Sequence, residues 1–303
     1  MRVGVALPTA IPRTTPAEVL GWARRIEEGP FASAAVLDRL AYDSYEPLVA
    51  LAAAAAVTAR IELATTILIA PLRNTTLLAK QAASLDRISG GRLVIGVGVG
   101  ARQDDYQIAG VETARRGQTL ADQLVEIPAL WDRGQLGVGT GPGKRPRFLA
   151  GGSTGAALAR MAQHCEGYIH GGGPPRVFAR AGQEARAAWI DAGRPATPQL
   201  WGQGYFAFGA SAEAGAAYVR DYYGFTGAFA EKIASGLLTS PQQALEFLQA
   251  YAEAGCDHLI MIPAVASPEH LDTLATVVTD AGFASQDAGL AGEPPNDPSR
   301  IRR

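Results

Sequence analysis

Short apolar runs that alternate with amphipathic stretches constrain the fold of this chain more than any other feature. The runs lie at 3–7, 33–38, 60–70, 93–99, 147–152, 166–173, 198–210 and 257–263. A strand that alternates eight times with a helix predicts an α/β protein folded as a (β/α)₈ barrel, also called a TIM barrel. A doubly wound open sheet is the alternative, but "LPTAIP", after the first run, has no nucleotide-binding glycine turn.

The same periodicity sets the expected domain limits. Residues 1–283 predict a single barrel domain, because the strand and helix signals continue without a long polar interruption. The segment 284–303 lacks both periodicity and apolar content, which predicts a disordered C-terminal tail.

Composition narrows the class of partner. The net charge of −2 and pI near 6.1 do not favour a nucleic-acid partner, and no apolar run is long enough to predict a membrane span. Two distant cysteines fit no metal or redox spacing, so no metal site is predicted. Prolines at 8 and 12 interrupt the start too early for a secretory signal, and we expect a cytoplasmic protein.

The fourth run, "LVIGVGVG", raises a specific question. Its apolar residues predict a strand, yet Gly96, Gly98 and Gly100 occupy alternate positions and therefore share one face. Glycine weakens a strand interior, so either something large lies close to that face or the chain bends there.

Two other predicted strand ends are rich in glycine. "AGGSTG" (150–155) and "HGGGPP" (170–175) each lead directly into a helix. Backbone N–H groups at a helix N-terminus, unobstructed by side chains, bind phosphate. Either loop alone could be an ordinary glycine turn, but both together, late in a barrel, favour a phosphate site at the carboxyl ends of the strands.

Charged residues at strand ends leave two interpretations open. Asp38 and Arg39 could form a structural ion pair or contact a cofactor and substrate. Asp104 and Asp105 could serve as acid–base carboxylates, or Asp105 could cap the next helix. His170 is the histidine at a predicted strand end, and a surface position is as consistent with the pattern as a catalytic role.

Several motifs together resemble one family. An Asp at the end of strand two, the stretch "EPLVALAAAAAVTARIELATT", the helix "LAKQAASLDRISGGR" and the strand "GVGVG" with a following acidic loop are similar to the bacterial luciferase-like oxidoreductases. The resemblance extends over residues 1–131 and, more loosely, 147–283. It implies a (β/α)₈ barrel that uses FMN or the deazaflavin F420.

The resemblance also implies roles for individual positions. Asp38 would contact the ring region, and a cis peptide between Thr66 and Ile67 would form a bulge behind the ring. Gly98, with its glycine neighbours, would leave room beside the ring, and Asp104 would be a polar cofactor contact. The phosphate-binding positions would be Ala150, Gly151, Gly152, Gly171 and Gly172.

The chain departs from the family's sugar-phosphate dehydrogenases at two positions. Their His after the strand-two Asp and their Glu after the glycine strand are replaced here by Arg39 and Ala101. The resemblance therefore favours reduction of an activated C=C or C=N bond over sugar-phosphate oxidation. Arg39 or a tyrosine such as Tyr42 would orient or protonate the substrate.

The sequence leaves more than one cofactor and more than one function open, and the alternatives can be ranked. An Ala-, Gly- and Arg-rich sequence indicates a GC-rich genome of the kind found in actinobacteria. F420 is common in those bacteria, which favours F420 over FMN. The second hypothesis is an FMN-dependent monooxygenase supplied with reduced flavin by a separate reductase, and the third is a non-catalytic flavin-binding subunit. The family resemblance further implies a homodimer that acts on a small-molecule substrate.

Overall fold

The protein is a closed eight-stranded parallel barrel, as the alternation predicts. The computed structural model describes residues 1–137 and 145–284, so the predicted tail lies outside the described residues except for its first position. The strands are β1 (Arg2–Ala6), β2 (Ser33–Val36), β3 (Glu62–Ile69), β4 (Leu93–Gly98), β5 (Arg147–Gly151), β6 (Gly167–Ile169), β7 (Gln199–Phe206) and β8 (His258–Pro263). Each strand pairs in parallel with its sequence neighbours, and β8 pairs with β1 to close the barrel.

Helices cover the outside of the barrel. They are α1 (Pro16–Glu28), α2 (Pro47–Ala55), α3 (Thr75–Ile88), α4 (Gln103–Ala109), α5 (Arg116–Asp132), α6 (Gly155–His164), α7 (Pro175–Asp191), α8 (Ala212–Tyr222), α9 (Phe229–Ala234), α10 (Pro241–Glu253) and α11 (Pro268–Asp280). None of the helices within the described ranges is long and apolar enough to cross a membrane.

Local sequence signals start these helices where the pattern predicts. Thr15 and Glu18 form a reciprocal capping box at α1, with Pro16 at the first helical position. Asn74 and Thr154 cap α3 and α6 by accepting a backbone N–H through their side chains. Because each cap follows a strand closely, the carboxyl ends of the strands and the starts of the helices meet at one end of the barrel.

Alternation along the strands produces two packed layers. In β1, Val3 and Val5 pack outward against helical residues, whereas Ala6 belongs to a cluster inside the barrel. Small residues such as Ala35 and Ala64 continue this inner layer, and larger ones such as Trp201 fill the rest of the space. The inner layer therefore closes the barrel below its carboxyl-end mouth.

The glycines of β4 face the neighbouring strand β3. Pairing of β3 with β4 shifts register between Thr65 and Leu68, and the Thr66–Ile67 peptide is cis, as the resemblance implied. A Cβ on Gly96 would lie 2.2 Å from the Thr65 carbonyl oxygen, and one on Gly98 would lie 2.8 Å from Cδ1 of Ile67. The immediate reason for the missing side chains is thus the irregular course of β3, and Gly100, at φ +67°, turns the chain out of the barrel.

Candidate functional site

A cavity of about 400 Å³ opens at the carboxyl ends of the strands. Its lining combines apolar side chains, glycine backbone and a few polar groups. The lining residues are Leu37, Asp38, Arg39, Thr66, Ile67, Ile69, Gly98, Val99, Gly100, Ala101, Arg102, Gly151, Gly152, Ile169, Gly171, Gln203, Tyr222, Tyr223 and Phe225. A concave apolar site with few polar groups is the usual form of a small-molecule site, and this position is where barrel enzymes carry it.

Asp38 is held by Arg73 and not by its sequence neighbour Arg39. Its carboxylate accepts hydrogen bonds from both terminal nitrogens of Arg73, at 2.6 and 3.1 Å, and from the backbone N–H of Ile69 at 2.7 Å. Burial acts to lower the pKa of Arg73, but Asp38 and then Glu46 outweigh it and raise that pKa. This cluster ties the end of β2 to the segment that follows the bulge of β3.

Arg39 instead pairs with the acidic start of α4. Its Nε donates to Asp105 at 2.8 Å, and its Nη2 donates to Asp104 at 3.0 Å. Asp105 is fully buried and also accepts from the backbone N–H groups of Leu40 and Ala41. Asp105 therefore does not cap α4, whose cap position is Arg102; it fastens the loop after β2 to the loop after β4.

Arg102 completes a cationic and aromatic wall. Its guanidinium lies 5.0 Å from the ring centre of Tyr222 and 4.2 Å from that of Phe225. Arg39 lies 5.6 Å from the same Tyr222 ring, so both cations share one aromatic platform. Burial and then the charge of Arg39 lower the pKa of Arg102.

Residues of the two glycine loops also line the cavity. Gly151 ends β5 and Gly152 follows it ahead of α6, and Gly171 lies shortly after β6. A Cβ on Gly171 would meet no atom within 4 Å, so the missing side chain leaves open space at the cavity. At the start of α6, Thr154 accepts from the N–H of Ala157, and the N–H groups of Gly155 and Ala156 have no acceptor among the described residues. Helix α7 begins at Pro175 after Pro174, which have no N–H. N–H donors for an anion therefore come mainly from the loop 150–155, between β5 and α6.

Polar groups also lie beside the cis peptide. The Nε2 of Gln203, on β7, approaches the Thr66 carbonyl oxygen at 3.5 Å. The hydroxyl of Thr66 is buried and has no hydrogen-bond partner within the described residues. Buried polar atoms are normally satisfied, so this hydroxyl indicates a ligand position next to the bulge.

Tyr42 is near the cationic wall but does not line the cavity. Its hydroxyl donates to Asp221 at 2.6 Å, and its ring packs edge-on against Tyr222 at 5.4 Å. Burial, followed by Asp221, raises the pKa of Tyr42. The tyrosines that line the cavity are Tyr222 and Tyr223.

The structure brings most of the predicted residues together. Those that line the cavity are Asp38, Arg39, Thr66, Ile67, Gly98, Gly151, Gly152 and Gly171; those that do not are Tyr42, Asp104, Ala150 and Gly172. Sequence reasoning missed Arg102 and Gln203. The aromatic residues near predicted loops, Tyr222, Tyr223 and Phe225, could line a pocket or belong to the core, and the structure places them in the cavity lining. Gln203 carried a usable signal, because it is a polar residue between two glycines inside a strand.

Comparison with known proteins identifies the family. The family model described as luciferase-like monooxygenase matches residues 1–255, so the chain belongs to this family. An uncharacterised protein of Mycobacterium tuberculosis is 34% identical over 152 residues, which are 45% of this chain and 52% of the relative. The pyrimidine monooxygenase of Cronobacter turicensis is 28% identical over 172 residues, 49% of this chain and 44% of the relative. The chain thus spans about half the length of these relatives.

Solved structures show the same fold at low identity. An F420-dependent secondary alcohol dehydrogenase, in complex with an F420-acetone adduct, superposes with a TM-score of 0.78 at 14% identity, covering 92% of this chain and 98% of that chain. The EDTA monooxygenase from Chelativorans sp. superposes with a TM-score of 0.75 at 15% identity, covering 95% and 96%. The neighbours include both F420- and FMN-type enzymes, so a flavin or deazaflavin cofactor is consistent with the fold.

The residues present fit such a cofactor. A planar ring needs an apolar slot with a few polar contacts, and Ile67, Val99 and the Thr66 hydroxyl offer both. A phosphate needs backbone donors without obstructing side chains, and Gly151 and Gly171 offer that approach in the same cavity.

Proposed function

We propose that the protein is an F420-dependent oxidoreductase that reduces an activated C=C or C=N bond of a small organic substrate. The observation that carries the proposal is that one cavity is lined both by Thr66 and Ile67 and by the glycine loops after β5 and β6. F420 is preferred to FMN because the Ala-, Gly- and Arg-rich composition indicates a GC-rich genome, and relatives from Mycobacterium support that origin.

In this proposal the chain's own residues position the reactants. Gly151, Gly152 and Gly171 hold the phosphate, and Asp38, fixed by Arg73, keeps the bulge of β3 in place behind the ring. When bound, reduced F420 supplies a hydride from its C5 atom. The apolar lining excludes water from that face, which protects the hydride transfer from competing protonation.

A proton must reach the second atom of the reduced double bond. Tyr223 lines the cavity, and its hydroxyl lies 3.2 Å from that of Tyr205, so this pair can hold the proton. We assign this role to Tyr223 in place of Tyr42, whose hydroxyl is engaged by Asp221. Tyr223→Phe should lower turnover without changing cofactor affinity, and an unchanged rate would reject the assignment.

The proposal is tested by cofactor titration. We would titrate the pure protein with F420 and, separately, FMN, and follow quenching of intrinsic tryptophan fluorescence. Gly171→Leu adds a side chain into open space at the cavity and should abolish binding with little effect on stability. Gly21→Leu, on the outside of α1 and also free of near neighbours, is the matched control and should bind normally.

Each outcome of the titration has a distinct meaning. Tight F420 binding that Gly171→Leu removes supports the proposal. Tight FMN binding with weak F420 binding would replace it by an FMN-dependent monooxygenase that receives reduced flavin from a reductase. Binding of neither cofactor would reject both and favour a non-catalytic role.

A further inference from the structure

Arg102 is a buried cation for which the described part of the chain offers no carboxylate partner. Its residue is 9% exposed, and its Nη2 has no hydrogen-bond acceptor among the described residues. Its closest neighbours are the faces of Tyr222 and Phe225, which attract the charge but accept no in-plane N–H. A buried charge that lacks a partner costs stability, so a functional reason is required.

Arg39, which also lines the cavity, likewise has one donor without a partner in the described ranges. Its Nε and Nη2 are used by Asp105, Asp104 and the Ala41 carbonyl, but its Nη1 is buried and has no partner in residues 1–137 and 145–284. Arg39 is 5% exposed, and both arginines line the cavity. Both guanidinium groups therefore lie against one Tyr222 ring at the cavity, and each has a buried N–H that has no acceptor among the described residues.

Arg102 forms no ion pair with the described residues, although the four carboxylates around this space outnumber the three arginines. Arg39 is compensated by Asp104 and Asp105, and Asp38 and Glu46 are compensated in part by Arg73. The carboxylates nearest to Arg102 are thus already engaged by Arg39. An anion bound beside the two guanidinium groups would give Arg102 a charge partner and offset the repulsion between the two cations.

The aromatic wall indicates the rest of the ligand. Tyr222, Tyr223 and Phe225 line the cavity beside Arg102, and Phe225 is 46% exposed at its mouth. A flat apolar body could lie along these rings while its acid group reaches the arginines. The glycine loops proposed for the cofactor phosphate are separate residues of the same cavity, which leaves the arginine pair to the other reactant.

We propose that the substrate is a small organic acid whose carboxylate binds between Arg102 and Arg39 while its apolar body packs on Tyr222 and Phe225. The role of this acid as the substrate rests on the proposed function, whereas the presence of an acid-binding site does not. The lowered pKa of Arg102, caused by burial and by Arg39, agrees with a site that an anion would stabilise.

The test uses benzoate as the probe and benzamide as its neutral counterpart. Isothermal titration of the full chain, with and without F420, should show that benzoate binds more tightly than benzamide. Arg102→Met should weaken benzoate binding at least about 10-fold, as expected for loss of a charge-assisted hydrogen-bond pair, and leave benzamide and F420 binding unchanged. Arg102→Lys, which keeps the charge but loses the planar fork, should give a smaller loss and serves if Arg102→Met does not fold.

The control is Arg180→Met, which removes an exposed arginine of α7 and should leave all three affinities unchanged. Equal benzoate binding by wild type and Arg102→Met, or no preference for benzoate over benzamide, would overturn the proposal. So would competition between benzoate and F420 together with weaker F420 binding by Arg102→Met, because the anion would then belong to the cofactor. Benzoate binding without binding of either cofactor would reject the proposed function and retain the acid site.

Discussion

At the scale of single residues, Asp105 determines the shape of the cavity wall. It is fully buried, and its two oxygens accept from Arg39 and from the backbone N–H groups of Leu40 and Ala41. Asp104, one residue earlier, pairs with the same arginine but is 49% exposed. Adjacent carboxylates that bind one guanidinium therefore differ in how much stability they contribute.

We expect Asp105→Asn to lower the free energy of unfolding by about 3 kcal/mol, because it leaves Arg39 buried beside a neutral group. Asp104→Asn should cost less than about 1 kcal/mol, since water screens the exposed pair. Urea denaturation of the two variants measures both values. Equal losses of unfolding free energy in the two variants would show that Asp105 stabilises Arg39 no more than the exposed Asp104 does.

At the scale of elements, β3 and β4 form the irregular part of the barrel. The register shift of β3 brings the Thr65 carbonyl to the position where a side chain on Gly96 would lie. The Thr65 hydroxyl also donates to the Gly96 carbonyl at 2.7 Å, which fixes the two strands to each other. The bulge and the glycine strand are therefore one structural unit.

Gly96→Ala should destabilise the protein by about 2–3 kcal/mol, because its methyl group would meet the Thr65 carbonyl oxygen at 2.2 Å in a packed interior. Gly21→Ala, in α1 and without near neighbours, should be neutral or stabilise by up to about 1 kcal/mol. Thermal unfolding of both variants provides the comparison. A neutral Gly96→Ala would mean that the bulge can move away.

The strands and helices were predictable from the sequence, whereas the contacts between their ends were not. Strand runs, caps such as Thr15 and the fold class follow from periodicity and local hydrogen bonds, and the structure confirms them. The ion-pair partners cannot be predicted from periodicity. Asp38 pairs with Arg73, and Arg39 pairs with Asp105, only because the fold brings distant loops together. The choice between core and pocket for Tyr222 and Phe225 does not follow from the sequence either, because the end of α8 reaches the cavity through tertiary packing.

At the scale of the whole molecule, the two ends of the barrel differ in chemistry. The carboxyl end carries the cavity, whereas the amino end buries His258 within 3.0 Å of the Ser33 hydroxyl and 4.2 Å from the Trp201 ring. Burial, followed by the charges of Arg2 and Arg147, lowers the pKa of His258 well below its usual value. The folded chain therefore keeps this histidine neutral at pH values where the unfolded chain protonates it.

Stability should consequently fall as the pH drops below about 6.5, since the unfolded state then binds a proton that the folded state does not. At pH 5.5 the loss for one such histidine reaches at most about 1.4 kcal/mol. His258→Gln should make the pH dependence of unfolding shallower below about pH 6.5, whatever its effect at about pH 8. Parallel pH profiles for wild type and variant would contradict the assignment.

The central claim is that one cavity holds the ring beside Thr66 and Ile67, the phosphate at Gly151 and Gly171, and an acid at Arg102. A crystal structure of the protein grown with F420 and benzoate tests all three positions in one measurement. We predict the deazaflavin ring against the cis peptide, its phosphate at the glycine loops, and the benzoate carboxylate between Arg39 and Arg102. A cofactor phosphate bound by Arg102, or a deazaflavin ring stacked on Tyr222, would contradict the account.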